Sequence, residues 1–433
     1  MKLTGIGILL MLLTLATCQI ALSAGASPGL PTDRPLTLKE CIDYALTCHS
    51  SVLSAEQDLI GSVADVKRSR SGYVPKLAVG SAFSRIGSLG DQTGDGFFIV
   101  QTTDSIVSLN ETFYDGGRTL TAIRQAKASA RASDANLDLT RQDRVLSVTT
   151  AYFSALRAKR LADIAAQTVA GSEEQRKLIQ ARIDLKDAAP VDIYPVEVQL
   201  ANAKLVKLQA DNDVRIMANA LRNAVGLDRG PELQIVDYTT PSAEVPKLED
   251  SLTKALRDRP EVVQSAAQID SSKAGLTLAR LQALPVPIAT AGYEGDLNGG
   301  TFGRKWNIGI GLTMSLFDGG ALAAGITSSR ASLQSSKLAD SQLRKDISTE
   351  VEQAYLDLTS ALERLEASKP NVTLAQKNLE VAREKYQQGM AIPLEIVNAQ
   401  TSYADALASN AQALYDSYVA RAQLDNAVGK RGY

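Results

Sequence analysis

The sequence predicts a mainly α chain with a small β part, built from two copies of one helix–strand–strand–helix unit. Three observations carry this reading. The first is an internal repeat: Asp115-Gly116-Gly117 returns as Asp318-Gly319-Gly320, at an offset of 203. The same offset carries Ala151-Tyr152 onto Ala354-Tyr355, Pro190 onto Pro393 and Ala224-Val225-Gly226 onto Ala427-Val428-Gly429. Agreement without a gap over so long a span means duplication. The second observation is an alternating, strand-like run before each Asp-Gly-Gly. The third is a very long helical pattern after it, nearly free of glycine and proline.

Composition narrows the function classes. The net charge of −2 offers no electrostatic footprint for nucleic acid. Aromatics make up only 5%, while alanine, leucine, serine and glutamine abound, which favours closely packed helices. The single histidine, His49, argues against His-based catalysis and multi-His metal sites, and reads as a turn residue. There is no phosphate loop, metal-spaced cluster or nucleophile elbow, so neither an enzyme nor a bound cofactor is expected. Of three cysteines, Cys18 lies in the leader. On a continuous helix Cys41 and Cys48 would sit roughly 10 Å apart, too far to pair. A helix ending near Leu46 would let them meet.

Along the chain, residues 1–24 read as a secretory signal, with cleavage near Ala24 or Ala26. Leu15-Ala16-Thr17-Cys18 loosely resembles a lipoprotein site, with threonine a poor fit before the cysteine. No later stretch is long and apolar enough for a transmembrane helix, so any membrane span must be built from strands. Thr37-Leu38-Lys39-Glu40 has capping-box spacing and opens a short helix, followed by a second over about 51–71. Strands are expected at 76–85 and 104–114, and again at 286–293 and 306–317. In the last, Ile308, Ile310, Leu312, Met314 and Leu316 alternate with small or polar residues. A soluble sandwich or a membrane barrel would both use that pattern. Trp306 and Tyr293 near strand ends suit a membrane interface, and Glu111 should lie near the rim. The first copy carries seven extra residues, placed in the turn around Ser88 to Phe97. Four strands cannot close a barrel, since about eight are needed, so several chains would have to share one.

Long helices follow over 118–186 and 321–388, with Pro370 expected to kink or restart the second. Alanines 122, 126 and 130 allow close helix approach, and Leu146, Phe153, Leu156 and Leu161 fill the seams. Arg118 reads as a solvated or lumen-facing charge. Turns at Lys186-Asp187-Ala188-Ala189-Pro190 and Gly389-Met390-Ala391-Ile392-Pro393 lead into return helices 191–225 and 394–428. Residues 36–226 thus form the first repeat, 227–250 a proline-bearing linker and 251–429 the second repeat.

Taken together, the signal, the duplicated units, the aromatic-Asp-Gly-Gly junctions and the helical hairpins resemble the TolC-type outer-membrane efflux proteins over nearly all of the mature chain. The resemblance implies a homotrimer in outer-membrane lipid, each chain giving four strands to a twelve-stranded barrel continued by a periplasmic α-helical tunnel. It implies a passive exit duct for efflux or type I secretion. The duct would dock to a periplasmic adaptor (membrane fusion protein) and an inner-membrane RND, ABC or MFS-type transporter. The hairpin tips Lys186, Asp187, Pro190, Gly389, Met390 and Pro393 would meet the adaptor. The family pattern further implies a gate at those tips: Glu395 and Asp192 as constriction acids, with Tyr386 contacting Asp192. The family arginine is replaced by Ala391, the second ring acid by Asn398 and the first-repeat glycine by Lys186. As residues alone, Asp192 and Glu395 are also ordinary first-turn acids, and Tyr386 an ordinary seam residue. The competing class is a periplasmic coiled-coil adaptor or scaffold without a pore.

Overall fold

A computed structural model describes residues 34–89, 97–228, 233–237, 245–298, 301–314 and 317–430. The expected signal and Cys18 lie outside them. Among these residues twelve main elements run in chain order: α1 Leu38–Cys48, α2 Ser50–Arg70, β1 Lys76–Leu89, β2 Phe97–Tyr114, α3 Arg118–Asp184, α4 Ile193–Val225, α5 Leu248–Asp258, α6 Pro260–Ala283, β3 Val286–Asn298, β4 Thr301–Thr313, α7 Ala321–Gln387 and α8 Pro393–Ala427. Among the described residues no helix is long and apolar enough to cross a membrane.

The capping box forms: the Thr37 hydroxyl accepts from the Glu40 N–H, and Glu40 accepts from the Thr37 N–H. α1 continues past Leu46 to Cys48, so the fold-back that would pair Cys41 with Cys48 does not occur and both thiols are free. Burial pushes the Cys41 thiol up to about 12, which leaves it unreactive.

The strands form one antiparallel sheet, ordered β1-β2-β3-β4. β1 and β3 run on past the expected ends and β2 and β4 start earlier, whereas β4 stops at Thr313 rather than 317. Registers Lys76↔Asn110 and Val286↔Thr313 are one pair under the duplication, as are Ser88↔Phe98 and Asn298↔Thr301. The seven extra residues of the first copy therefore lie between Ser88 and Phe98. Leu77, Leu109, Tyr293 and Trp306 fall in one row across all four strands. On that face Leu77, Val79, Phe83, Ile308, Ile310 and Leu312 are exposed, Ile310 at 85%. Glu111 sits three residues before the end of β2 and pairs with Ala291.

The helices repeat the strand order. α2 packs on α3, α3 on α6 and α6 on α7, which continues the sheet as a layer of four. Farther from the sheet, the return helices take over: α3 packs against α4 and α8, and α8 against α7. Each return helix ends against the start of a short one. A Cβ on left-handed Gly226 would meet His49 at 3.1 Å, and one on Gly429 would meet Arg259 at 3.1 Å. Glycine lets the two helix ends abut so closely. His49 and Arg259 are equivalent in the two copies and N-cap α2 and α6. Arg259 is buried and bonds Glu261 (2.5 Å) and Glu350 (2.7 Å).

α3 and α7 each run 67 residues, about 100 Å at ~1.5 Å per residue. α7 passes through Pro370 without interruption, so the expected restart is absent. One lost hydrogen bond costs far less than giving up the side-by-side packing of α7 on α8. Around the midpoint, Tyr152 is fully buried among Leu36, Val148, Leu156, Leu221 and Val225. Its hydroxyl lies 3.0 Å from the Leu36 carbonyl and 2.7 Å from that of Val236. The linker is thereby tied to the core, with Leu36 bridged in parallel to Ile235.

His49 makes the first joint sensitive to acid. Its Nδ1 accepts from the Ser51 N–H at 3.1 Å, which only the neutral ring can do. Burial first, and then the Arg144 charge, lower its pKa. A depressed folded pKa means the unfolded chain takes up the proton first. Stability is therefore full above about pH 6.5 and falls as pH drops toward the folded value. Exchange of the α2 N-terminal amides should accelerate over that window. In His49→Asn, which caps without titrating, the acceleration should vanish.

Candidate functional site: hairpin tips and strand–helix junctions

The strand–helix junctions are two copies of one turn. Gly116 and Gly117 take φ 72° and 86°, Gly319 and Gly320 take 69° and 89°. Two successive left-handed residues swing the chain from strand to helix, a path closed to most side chains. The aspartate holds the turn. Asp115 accepts from the Gly117 N–H (3.0 Å) and the Thr119 N–H (2.6 Å), and Asp318 from Gly320 (3.0 Å) and Leu322 (2.7 Å). Burial would raise the Asp115 pKa, but the hydrogen bonds from Thr119 and Gly117 outweigh it and hold the carboxyl below its ordinary range. Arg118 is not simply solvated: it is half-buried and donates to the Leu281 carbonyl at the end of α6, at 3.4 Å.

At the opposite end both hairpins close identically. Lys186 N–H bonds the Ile183 carbonyl (2.9 Å) and Asp187 N–H the Arg182 carbonyl (2.8 Å). Gly389 and Met390 repeat this with Tyr386 (3.0 Å) and Lys385 (2.8 Å). Such a helix end needs a left-handed residue. Gly389 supplies it at φ 74°, and Lys186 is forced into it at φ 62°, the one non-glycine with positive φ among the described residues. Lys186→Gly should therefore slow amide exchange at Lys186 and Asp187 roughly five-fold, equivalent to ~1 kcal/mol.

Tyr386 is buried, 4% exposed, among Ile179, Val196, Leu379 and Ile396. Burial pushes its phenol upward, Arg182 opposes, and Asp192 adds to the rise. Its hydroxyl makes no hydrogen bond among the described residues. Asp192 is half-buried and accepts from the Ala189 N–H at 3.2 Å. It caps its own hairpin and does not bond Tyr386. Glu395 is exposed in the first turn of α8, and Asn398 is exposed one turn on. Ala391 packs on the Tyr386 cluster.

Among the tip residues, Lys186, Asp187, Pro190, Gly389 and Met390 are exposed. Pro393 is buried at the start of α8 and presents no surface. Exposed Leu185, Val191 and Ile392 make the tips more apolar than the expected set suggested. Arg182 was also not foreseen: its guanidinium lies 4.8 Å from the Tyr386 ring centre and donates to the Tyr386 carbonyl at 2.8 Å. Its place one turn before the left-handed Lys186 was the only local signal.

The geometry is that of a two-repeat outer-membrane duct protomer, and comparison with known proteins agrees. The model of the outer membrane efflux protein family matches residues 41–227 and 252–430. Protein CyaE of Bordetella pertussis is 27% identical over 392 residues, covering 87% of this chain and 81% of CyaE. Outer membrane protein TolC of Escherichia coli is 21% identical, covering 84% and 76%. The crystal structure of the Campylobacter jejuni CmeC outer membrane channel superposes with TM-score 0.81 at 14% identity, covering 90% of this chain and 85% of that one. The chain belongs to the outer membrane efflux protein family. It is an exit channel of the Gram-negative outer membrane, a transport protein and not an enzyme. The periplasmic scaffold without a pore is thereby set aside.

Proposed function

We propose that three copies of this chain close one twelve-stranded barrel and a continuous helical tunnel, docked at its tips to a periplasmic adaptor fed by an RND, ABC or MFS-type inner-membrane transporter. The observation that carries the trimer is the four-stranded sheet with β1 and β4 at its edges. Open edges are not tolerated in lipid, and four strands cannot close on themselves. The edge helices support the same join. α4 exposes Tyr194, Val198, Leu205 and Leu208 at seam spacing, and α7 exposes Leu338, Leu356 and Leu374 on one face. Each stripe is completed by the neighbouring copy.

The mature protein begins after Ala24 or Ala26, and each repeat contributes one strand pair and one hairpin. Leu185, Val191, Met390 and Ile392, with Lys186, Asp187, Pro190 and Gly389, form the adaptor surface. Tyr386, Asp192 and Glu395 form the gate and its constriction. Support for the last role is the exposure of Glu395 at the tip, where three symmetric carboxylates would attract cations. Planar-bilayer recording from the purified mature protein should give discrete cation-selective steps, and the unheated sample should run as a trimer on a denaturing gel. A monomeric, silent protein would refute the proposed assembly.

A further inference from the structure

The helices next to the sheet carry charge of one sign. Over the roughly three turns of α2, α3, α6 and α7 that adjoin the strands, Asp65 is the only acid. Three cations there have partners. Arg68 pairs with Asp65 (3.0 Å), Lys273 with Asp270 (3.3 Å), and Arg118 donates to the Leu281 carbonyl. Lys67, Arg70, Arg124, Lys127, Arg280 and Arg330 remain, all exposed and without an ion pair among the described residues. Over the next three turns the sign reverses: Glu56, Asp58, Asp134, Asp138, Asp270 and Asp340 stand against Arg131 and Lys337. A solvated helix face mixes both signs along its length. This wall instead gathers its unpaired cations at the sheet.

The six share one face. Arg141 and Glu56 pair at 2.8 Å on the side that carries α1, since Arg141 borders one cavity with Lys39 and Asp43. Lys127 and Arg70 lie about four turns nearer the sheet on the same stripe, with Arg124 and Lys67 one turn from them. The duplication carries Arg70 onto Arg280 at offset 210 and Lys127 onto Arg330 at offset 203. A lumen has to stay open, so the face covered by α1 is the outside of the proposed tunnel. At ~1.5 Å per residue the six cations lie within about 15 Å of the strands. Exposed Tyr73 and Val74 stand between α2 and β1, and the greasy row of the sheet starts at Leu77. Hydrocarbon therefore gives way to headgroups at this level.

We infer that this belt binds the phosphates of anionic glycerophospholipids in the periplasmic leaflet, three copies of it forming a collar around the barrel. The inference rests on the proposed membrane barrel. Long Lys and Arg stems carry the charges up to the headgroup layer, where each attracts anionic lipid by ~1 kcal/mol.

The test is the association of spin-labelled lipids with the purified mature protein, reconstituted in phosphatidylcholine vesicles. Motionally restricted lipid reports the shell around the barrel, and spin-labelled phosphatidylglycerol is compared with spin-labelled phosphatidylcholine. Wild type should prefer phosphatidylglycerol about five-fold, the ratio that one cation at a headgroup supplies, and high salt should reduce the preference. Glutamine at Lys67, Arg70, Arg124 and Arg280 together keeps good helix formers at exposed sites and should bring the ratio close to one. Lysine at Arg70, Arg124 and Arg280 should keep the preference, and so should Lys159→Gln with Lys177→Gln, both exposed far from the sheet. Equal restriction of the two lipids by wild type overturns the collar and leaves the barrel standing, as does a preference that survives the four glutamines. No restricted lipid of either kind removes barrel and collar together. Loss of the preference in inorganic phosphate, but not in chloride of equal ionic strength, would assign the cations to free phosphate and overturn the lipid site.

Discussion

Valine at both Gly319 and Gly320 is expected to remove the trimer from the outer membrane. Both glycines sit at positive φ, 69° and 89°, where an L side chain costs ~1–2 kcal/mol and a β-branched one more. The pair thus costs about 3 kcal/mol per chain, and three times that once three chains must close together. Among the described residues nothing beyond the adjoining chain lies within 4 Å of a Cβ built at either position, so the cost is backbone conformation and not collision. That separates the effect from ordinary crowding. Asparagine at both sites, which tolerates the left-handed region, should retain most of the trimer, while valine should lose nearly all of it. Equal amounts of heat-labile trimer in the two variants would show that the turn conformation is not what joins sheet to tunnel. The first junction, Gly116 and Gly117, should behave alike, since Asp115 and Asp318 hold both turns with the same two hydrogen bonds.

Reversal of ion preference is the second large effect, and it belongs to Glu395→Lys. Glu395 is exposed at the start of α8, and the proposed symmetry brings three copies around one axis. Replacing three negative charges by three positive ones in a narrow pore changes the local potential by several kT. The zero-current potential under a salt gradient should change sign, and block by multivalent cations should disappear. Glu395→Ala should fall between. Asp192→Ala is the informative contrast. Its carboxylate already accepts from the Ala189 N–H at 3.2 Å, so the substitution should loosen the tip more than it changes selectivity. An unaltered zero-current potential in Glu395→Lys would take Glu395 out of the conduction path.

What the sequence by itself determined is whatever is written locally. The Asp-Gly-Gly turns could be read because two adjacent glycines before a helix announce positive φ. The capping box at Thr37 and Glu40 and the greasy alternation from Ile308 to Leu312 follow from periods of a few residues. The duplication offset placed even the extra residues of the first hairpin. Local rules allowed either a kink or a restart at Pro370, and the restart is absent because the lateral packing of a 67-residue helix on its partner outweighs one missing hydrogen bond. They also left Cys41 and Cys48 open, which the last turn of α1 decided. The tertiary structure alone decided the contacts made across the duplication. Arg182 meets Tyr386 from 204 residues away, and Tyr152 ties Leu36 to Val236. Gly226 and Gly429 let return helices abut His49 and Arg259. No period in the chain encodes such pairs, since they depend on how two long hairpins lie side by side. Lys186 shows the boundary between the two. Its residue type argues against a left-handed turn, yet the hairpin geometry shared with Gly389 imposes one.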